Sequence, residues 1–262
     1  MITGSEWQVS FLEEQIKAHE VIDVCLLAGK IMLENGAETH RVEDTMMRIA
    51  AAFGCEDSHS FSTPTGIIFS LDGMHAASRL IRISHRSTDL TKVTLVNSVS
   101  RSISNREISL KEAYAKLKEL EKANVSFPLW VQLFAAFISS GCFLIMFDGQ
   151  WIDFIWSCIA GGLGFSCLLY LHRLLEARFF AEFIASVVIG MSAFWFVHAG
   201  LGTEVDKIII GAVMPLVPGL LITNAARDLI DGHLVSGLSK GADAGLTALA
   251  IGAGIAVAFI VV

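Results

Sequence analysis

An amide and two carboxylates follow a broken apolar run in "GAVMPLVPGLLITNAARDLIDGHLVSG", residues 211–237. Asn224, Asp228 and Asp231 recur at i, i+4 and i+7, which on a helix places all three on one face. Such a face can hydrogen-bond a small polar solute or bind and release a proton. Just before it, Pro215 and Pro218-Gly219 interrupt a run that is apolar from Ile208. Proline frees a backbone carbonyl and bends the axis, which hydrocarbon tolerates only where protein or a water-filled cavity satisfies the backbone. Helices broken in this way aim their ends at a substrate or a coupling ion in membrane transporters. A plainer reading stays open, because Arg227 and Asp231 are also four apart and fit a surface ion pair.

A second polar group lies in "ENGAETHRVED", residues 34–44, with Glu34, Glu38, His40, Arg41, Glu43 and Asp44; His59, His75 and His85 lie downstream. Carboxylates and imidazoles together can do acid–base or metal chemistry. They equally fit capping and solvated charges at a helix–helix turn. No nucleophile elbow, phosphate loop or HExxH spacing is present. No two of the five cysteines lie two to four residues apart, so neither a disulfide framework nor a zinc site is expected. No cofactor or metal is assigned. A membrane-anchored hydrolase with catalysis in the N-terminal residues remains the alternative to transport. Glu182, in an otherwise apolar run, fits either a solute or proton pathway or an interfacial pair with Arg178. His198, near the other end of that run, is a further proton site to weigh against an interfacial role.

The elements that must position these groups fall into two halves. Residues 1–122 hold 14 of the 19 Lys and Arg and 17 of the 26 Asp and Glu. The rest of the chain is therefore poor in charge. With 53% hydrophobic and 17% charged residues and a mean hydropathy of +0.60, the chain reads as a membrane protein. Its net charge of -7 and lack of a basic stripe argue against a nucleic-acid partner. Met1 to Glu14 shows neither the basic nor the apolar region of a secretion signal.

In residues 1–122 a helix ends at Asn35-Gly36, and a second carries the stripe Val42, Met46, Ile49 and Phe53, with Thr39 as its N-cap. Residues 60–71 and 79–84 read as a β-hairpin around Asp72-Gly73. Helices follow over 88–104 and from the capping box Ser109–Glu112. This makes an α+β domain of about 120 residues with its own core. From Ala123 onward, membrane spans are expected near 129–147, 151–171, 180–200, 208–223 and 244–262. The fourth has an unbroken apolar part of only 16 residues, roughly 24 Å of helix. After its break at Pro215 and Pro218, a second helix capped by Thr223 or Asn224 is expected. Gly161, Gly162 and Gly164, and Gly245, Gly252 and Gly254, suggest close helix packing. Arg173 and Arg178, then Arg227 and Lys240, mark the cytoplasmic loops. The expected fold is thus an α-helical integral membrane protein of about five transmembrane helices. Its N-terminal α+β domain is cytoplasmic, its C-terminus outside, and its location a cell membrane.

Two stretches resemble the threonine/serine exporter family. "LLAGKIMLENGAETHRVEDTMMRIAAAFG" (26–54) is similar to the start of its N-terminal domain, with the pattern G-A-E-x-x-R-V-E. "GAVMPLVPGLLITNAARDLIDGHLVSG" is similar to its P-x-x-P-G…N-A…D…G…S-G segment. The intervening hairpin and helices follow in the same order, so the resemblance covers nearly the whole chain. It implies export of threonine and serine driven by the proton-motive force, or, in a branch split over two genes, of dicarboxylates such as succinate. Long members carry about ten spans, whereas five are read here. The chain therefore resembles the larger subunit of the split form, which works with a small membrane protein supplying the other half; an oligomer is also possible. Carried over by position, the motifs point to Gly36, Glu38, Arg41 and Glu43, and to Pro215, Pro218, Gly219, Asn224, Asp228, Gly232 and Gly237. The expected roles are a helix break at the prolines and Gly219, solute or proton contact at Asn224 and Asp228, and a docking ion pair between Glu38 and Arg41.

Overall fold

The computed structural model describes residues 4–72, 77–123, 127–174 and 178–261, the side chains of residues 4–17 and of Arg178 excepted. Gly73 and His75, both considered above, lie outside the described residues, as does the Arg178 side chain in the suggested pair with Glu182. The chain forms two compact units. One contains residues 1–126 together with Leu220–Gly241, and the other contains Phe127–Gly219 with Ala242–Val262.

The first unit opens with α1 (Gly4–Glu34) and α2 (Thr39–Ala52), joined by a four-residue turn. Gly36 makes that turn with φ +88°, a left-handed conformation that glycine adopts without a Cβ penalty. The Ala37 N–H bonds the Met32 carbonyl at 3.0 Å, closing the end of α1. The strands β1 (Ser58–Thr63), β2 (Gly66–Leu71) and β3 (Ala77–Arg82) form an antiparallel sheet in sequence order. Residues 60–71, expected as one strand, are therefore two. Pro64 has no N–H for a ladder, so Pro64-Thr65 forms the two-residue turn between paired Thr63 and Gly66.

Two helices follow, α3 (Leu90–Ser104) and α4 (Leu110–Lys122). Asp89 caps α3, and the expected Ser109–Glu112 capping box starts α4. Val21, Ile22, Cys25, Ile31 and Met32 of α1 are buried against the inner residues Ile67, Phe69 and Leu71 of β2 and the apolar stripes of α2, α3 and α4. A Cβ on Gly29 would lie 2.3 Å from the Met46 sulfur, so that glycine lets α1 and α2 approach closely.

In the second unit, α5 (Leu129–Met146) and a 3-10 turn at Trp151–Asp153 lead into α6 (Phe154–Leu174) and α7 (Arg178–His198). Next comes α8 (Val205–Val213), which gives way to a 3-10 turn at Met214–Leu216. Val217 is extended at φ -64°, ψ 130°, as residues preceding proline usually are, and α9 (Gly219–Ile230) starts at once. The restart is earlier than expected, so Thr223 and Asn224 lie inside α9 rather than capping it. The last helix is α10 (Leu234–Val261).

α6 packs against α5, α7 and α8. Added Cβ atoms would meet Ser140 Oγ at Gly161, Ile189 at Gly164 and the Phe183 carbonyl at Gly254, each within 2.5 Å. The expected close packing holds at these three glycines, whereas Gly245 and Gly252 face open space.

α7 and α10 run parallel along one seam. Gly254 meets Phe183 and Ser186, Gly190 meets Ala258, and Phe194 stacks edge-on to Phe259 at 4.8 Å, so position rises together on both helices. Among the described residues, four helical segments are long and apolar enough to cross a membrane. The broken pair of α8 and α9 makes a fifth if it counts as one crossing.

Candidate functional site

α9 and the first turns of α10 form a hairpin around Gly232, whose φ is +86°. The two helices cross closely, because a Cβ on Gly237 would lie 2.6 Å from the Leu229 side chain and 3.0 Å from the Ala225 carbonyl. This hairpin meets the N-terminal end of α2. An α-helix begins with unpaired N–H groups and the positive end of its dipole, and both favour a carboxylate there. Glu38 holds the cap position of α2 but its side chain makes no capping bond. Thr39, expected as the cap, is instead the first helical residue. Asp228 takes the capping role from α9: its Oδ1 accepts the Thr39 N–H at 3.0 Å, and its Oδ2 accepts the Thr39 hydroxyl at 2.8 Å.

Lys240 completes this centre from α10. Its Nζ lies 2.7 Å from Asp228 Oδ2 and also donates to Thr39 Oγ1 at 3.2 Å and the Ala37 carbonyl at 3.4 Å. Asp228 and Thr39 are fully buried, and Lys240 is 6% exposed. Ion pairs removed from water hold only when extra hydrogen bonds satisfy both charges, as these do. Asn224, one turn before Asp228, donates to the Gly36 carbonyl at 2.9 Å. Beyond the centre, Ser62 joins the same hairpin to β1. Its N–H goes to Glu43 Oε1 at 2.7 Å, and its carbonyl accepts the Ser236 hydroxyl at 3.0 Å. Burial pushes the Glu43 carboxyl above the ordinary carboxylate range, and the Ser62 N–H opposes that rise.

The outer charges pair across the same contact. Glu38 bonds Arg227, not Arg41, which is exposed. Asp231 meets His40 at 3.0 Å rather than Arg227, and His40 also approaches Glu38 at 3.7 Å. Both expected local pairs, Glu38–Arg41 and Arg227–Asp231, thus give way to pairs between segments. Gly36, Glu38, Glu43, Asn224, Asp228 and Asp231 are brought together; Lys240, Thr39 and Ser236 are the partners the sequence did not announce. A lone lysine in the small-residue stretch after Gly237 was the available signal for Lys240.

In the second unit, Pro215 and Pro218 are half-buried and Gly219 is exposed. Glu182 of α7 is 4% exposed, and its backbone carbonyl accepts the Ser186 hydroxyl at 2.8 Å. His198 is exposed at the last position of α7. Asp153 is fully buried. It accepts the Thr203 N–H and hydroxyl, both at 2.7 Å, and the Glu204 N–H at 3.1 Å, tying down the segment that enters α8. Among the described residues no three His, Cys, Asp or Glu side chains gather as a metal site. His59 pairs with Asp72 instead of converging with His40.

Comparison with known proteins agrees with the two motif segments. The family described as "Putative threonine/serine exporter" matches residues 23–262. Two curated relatives, each named "Probable succinate transporter subunit YjjP", come from Klebsiella aerogenes and Escherichia coli strain K12. They are 24% identical over 253 and 254 residues, spanning 91% of this chain and 92% and 93% of their own lengths. No solved structure matches. Matched over nearly its whole length and carrying several helices fit for a bilayer, the chain belongs to the threonine/serine exporter family, and it is a transporter rather than an enzyme.

Proposed function

We propose that the chain is the larger subunit of a secondary active exporter of small polar metabolites, driven by the proton-motive force and completed by a small membrane partner. The solute is threonine and serine, or a dicarboxylate such as succinate. The observation that carries this reading is the break between α8 and α9, which leads directly into the buried polar residues Asn224 and Asp228. Transporters use an interrupted helix to aim half-helix ends and unwound backbone groups at a solute or coupling ion. Pro215, Pro218 and Gly219 form the interruption; Asn224, Asp228 and Asp231 contact the solute or proton beyond it, and Glu182 is a separate solute or proton contact within the second unit. A cation reaching Asp228 must compete with Lys240, so the pair acts as a gate that opens when the carboxylate is claimed from outside. The relatives' names support the subunit reading and favour succinate among the solutes worth testing.

The parallel course of α7 and α10 supports counting α8 and α9 as one crossing. Parallel neighbours require an odd number of crossings between them, whereas a re-entrant loop would leave α10 antiparallel to α7. With the basic loops inside, the N-terminal domain lies in the cytoplasm and the C-terminus outside. Efflux of labelled threonine, serine and succinate from cells with and without the chain and its partner is the direct test. Unchanged efflux of all three sinks the proposal.

A further inference from the structure

Among the described residues, every serine hydroxyl inside the apolar helices of the second unit donates to a backbone carbonyl, and one threonine hydroxyl does not. Ser139 and Ser140 donate to the Ala136 carbonyl, Ser166 to Gly162, Ser186 to Glu182 and Ser192 to Val188, each within its own helix. Ser157 reaches the Ser140 and Ile208 carbonyls. Thr247 of α10 is 1% exposed, yet its hydroxyl has no hydrogen-bond partner among the described residues. A buried hydroxyl normally bonds the carbonyl one turn back, and one left unmade carries a desolvation cost.

Its position shows what it faces. Thr247, Ile251, Gly254 and Ala258 recur at i, i+4, i+7 and i+11, and Gly254 and Ala258 meet α7. On α7, Glu182, Ser186 and Gly190 recur every four residues, and Ser186 and Gly190 meet α10. Both helices run the same way, and helical side chains lean toward the N-terminus. Glu182, one turn before Ser186, therefore leans down the seam toward the level of Thr247. Asp243, one turn before Thr247 on the same helix face, adds a second carboxylate. On α6, the packing of Gly164 against Ile189 puts the exposed Tyr170, His172 and Arg173 at the level of Glu182. α8 has no ionisable side chain after Lys207.

We propose that Glu182 and Thr247 form a binding site, in the seam between α7 and α10, for a small hydrogen-bonding cation. The chemistry is a carboxylate and a hydroxyl oxygen, both kept from water, facing a proton or an ammonium group. As a proton site, Glu182 becomes a carboxylic acid whose O–H is accepted by Thr247. As an ammonium site, the two residues accept N–H bonds from an amino-acid solute. The proposal rests on the exporter reading for its role in transport, but not for its existence.

Thr247→Val separates this site from a merely structural hydroxyl, because valine keeps the shape and removes the unmet polar group. In cells holding the chain and its partner, the variant should lower efflux about tenfold without loss of thermal stability, while Thr247→Ser stays near wild type. If the cation is the coupling proton, Thr247→Val flattens the pH dependence of efflux for every solute. If it is an ammonium group, KM rises for threonine and serine while succinate is unaffected. Infrared titration of the purified full-length chain in lipid nanodiscs tests the site without transport. A carboxylic-acid band lost in Glu182→Gln, and shifted in Thr247→Val or by added threonine, supports it even if no efflux is found. Unchanged efflux in Thr247→Val, or a Glu182 band that responds to neither Thr247→Val nor threonine, overturns it.

Discussion

Removing the charge of Asp228 leaves the Lys240 ammonium buried beside a neutral amide. Breaking one side of such a pair costs about 3–5 kcal/mol, far more than an exposed pair contributes. Asp228→Asn should therefore lower the thermal unfolding midpoint markedly, and Asp228→Asn with Lys240→Met should recover much of the loss. If the stable double variant still exports nothing, the charge acts in transport; normal export would return Asp228 to a structural role. Glu43 gives a pH prediction of opposite sense to most carboxylates. Its folded-state pKa lies above the unfolded value, so its contribution is fully present below pH 4.5 and is lost as pH rises through the folded pKa. Glu43→Gln should remove that slope, and unfolding curves for variant and wild type that stay parallel from pH 4 to 7 would disprove it. Little of this was legible beforehand. The stripe Asn224, Asp228 and Asp231 was readable from spacing, but Thr39 lies 189 positions from Asp228 and nothing local links them.

Elements were easier to read wherever their signal was local. The capping box of α4, the end of α1 at Gly36 and the break at Pro215 and Pro218 each lie within a few residues and appeared as expected. The division of residues 58–71 into two strands rests on Pro64, a local signal that outweighs the continuous strand-like composition around it. Thr223 and Asn224 are good capping residues, yet the extended Val217 ends the break and α9 restarts at Gly219. The α9–α10 hairpin depends on Gly237, where any side chain meets the Ala225 carbonyl. Gly237→Val should cost about 1–3 kcal/mol and loosen the hairpin, measured as faster protease cleavage near Gly232. Pro218→Ala restores a backbone donor within the break. It should preserve expression and cut efflux severely; undiminished efflux would mean that the break is not part of the route.

For the whole molecule, charge segregation and apolar length were visible in the sequence, whereas the grouping of Leu220–Gly241 with the N-terminal residues was not. That grouping depends on hydrogen bonds between segments far apart in sequence. In the proposed topology, single cysteines placed at Gly232 and at Val261 should react with impermeant reagents from opposite sides of the membrane. Labelling of both from one side would remove the five-crossing arrangement. The chain expressed without a partner should reach the membrane yet export nothing, and full export alone would dismiss the two-component proposal.

The cap on α2 also has a consequence for biosynthesis. The donor at Thr39 leaves the ribosome long before the carboxylate that satisfies it. Until Asp228 and Lys240 have been made and threaded into place, the N-terminal domain carries a helix end open to other acceptors. A fragment ending near residue 126 should therefore stay partly incomplete, and its α2 amides should exchange with deuterium faster than in the full chain. Completion of the domain thus reports that α9 and the start of α10 have been made, tying maturation of the N-terminal residues to synthesis of Asp228 and Lys240.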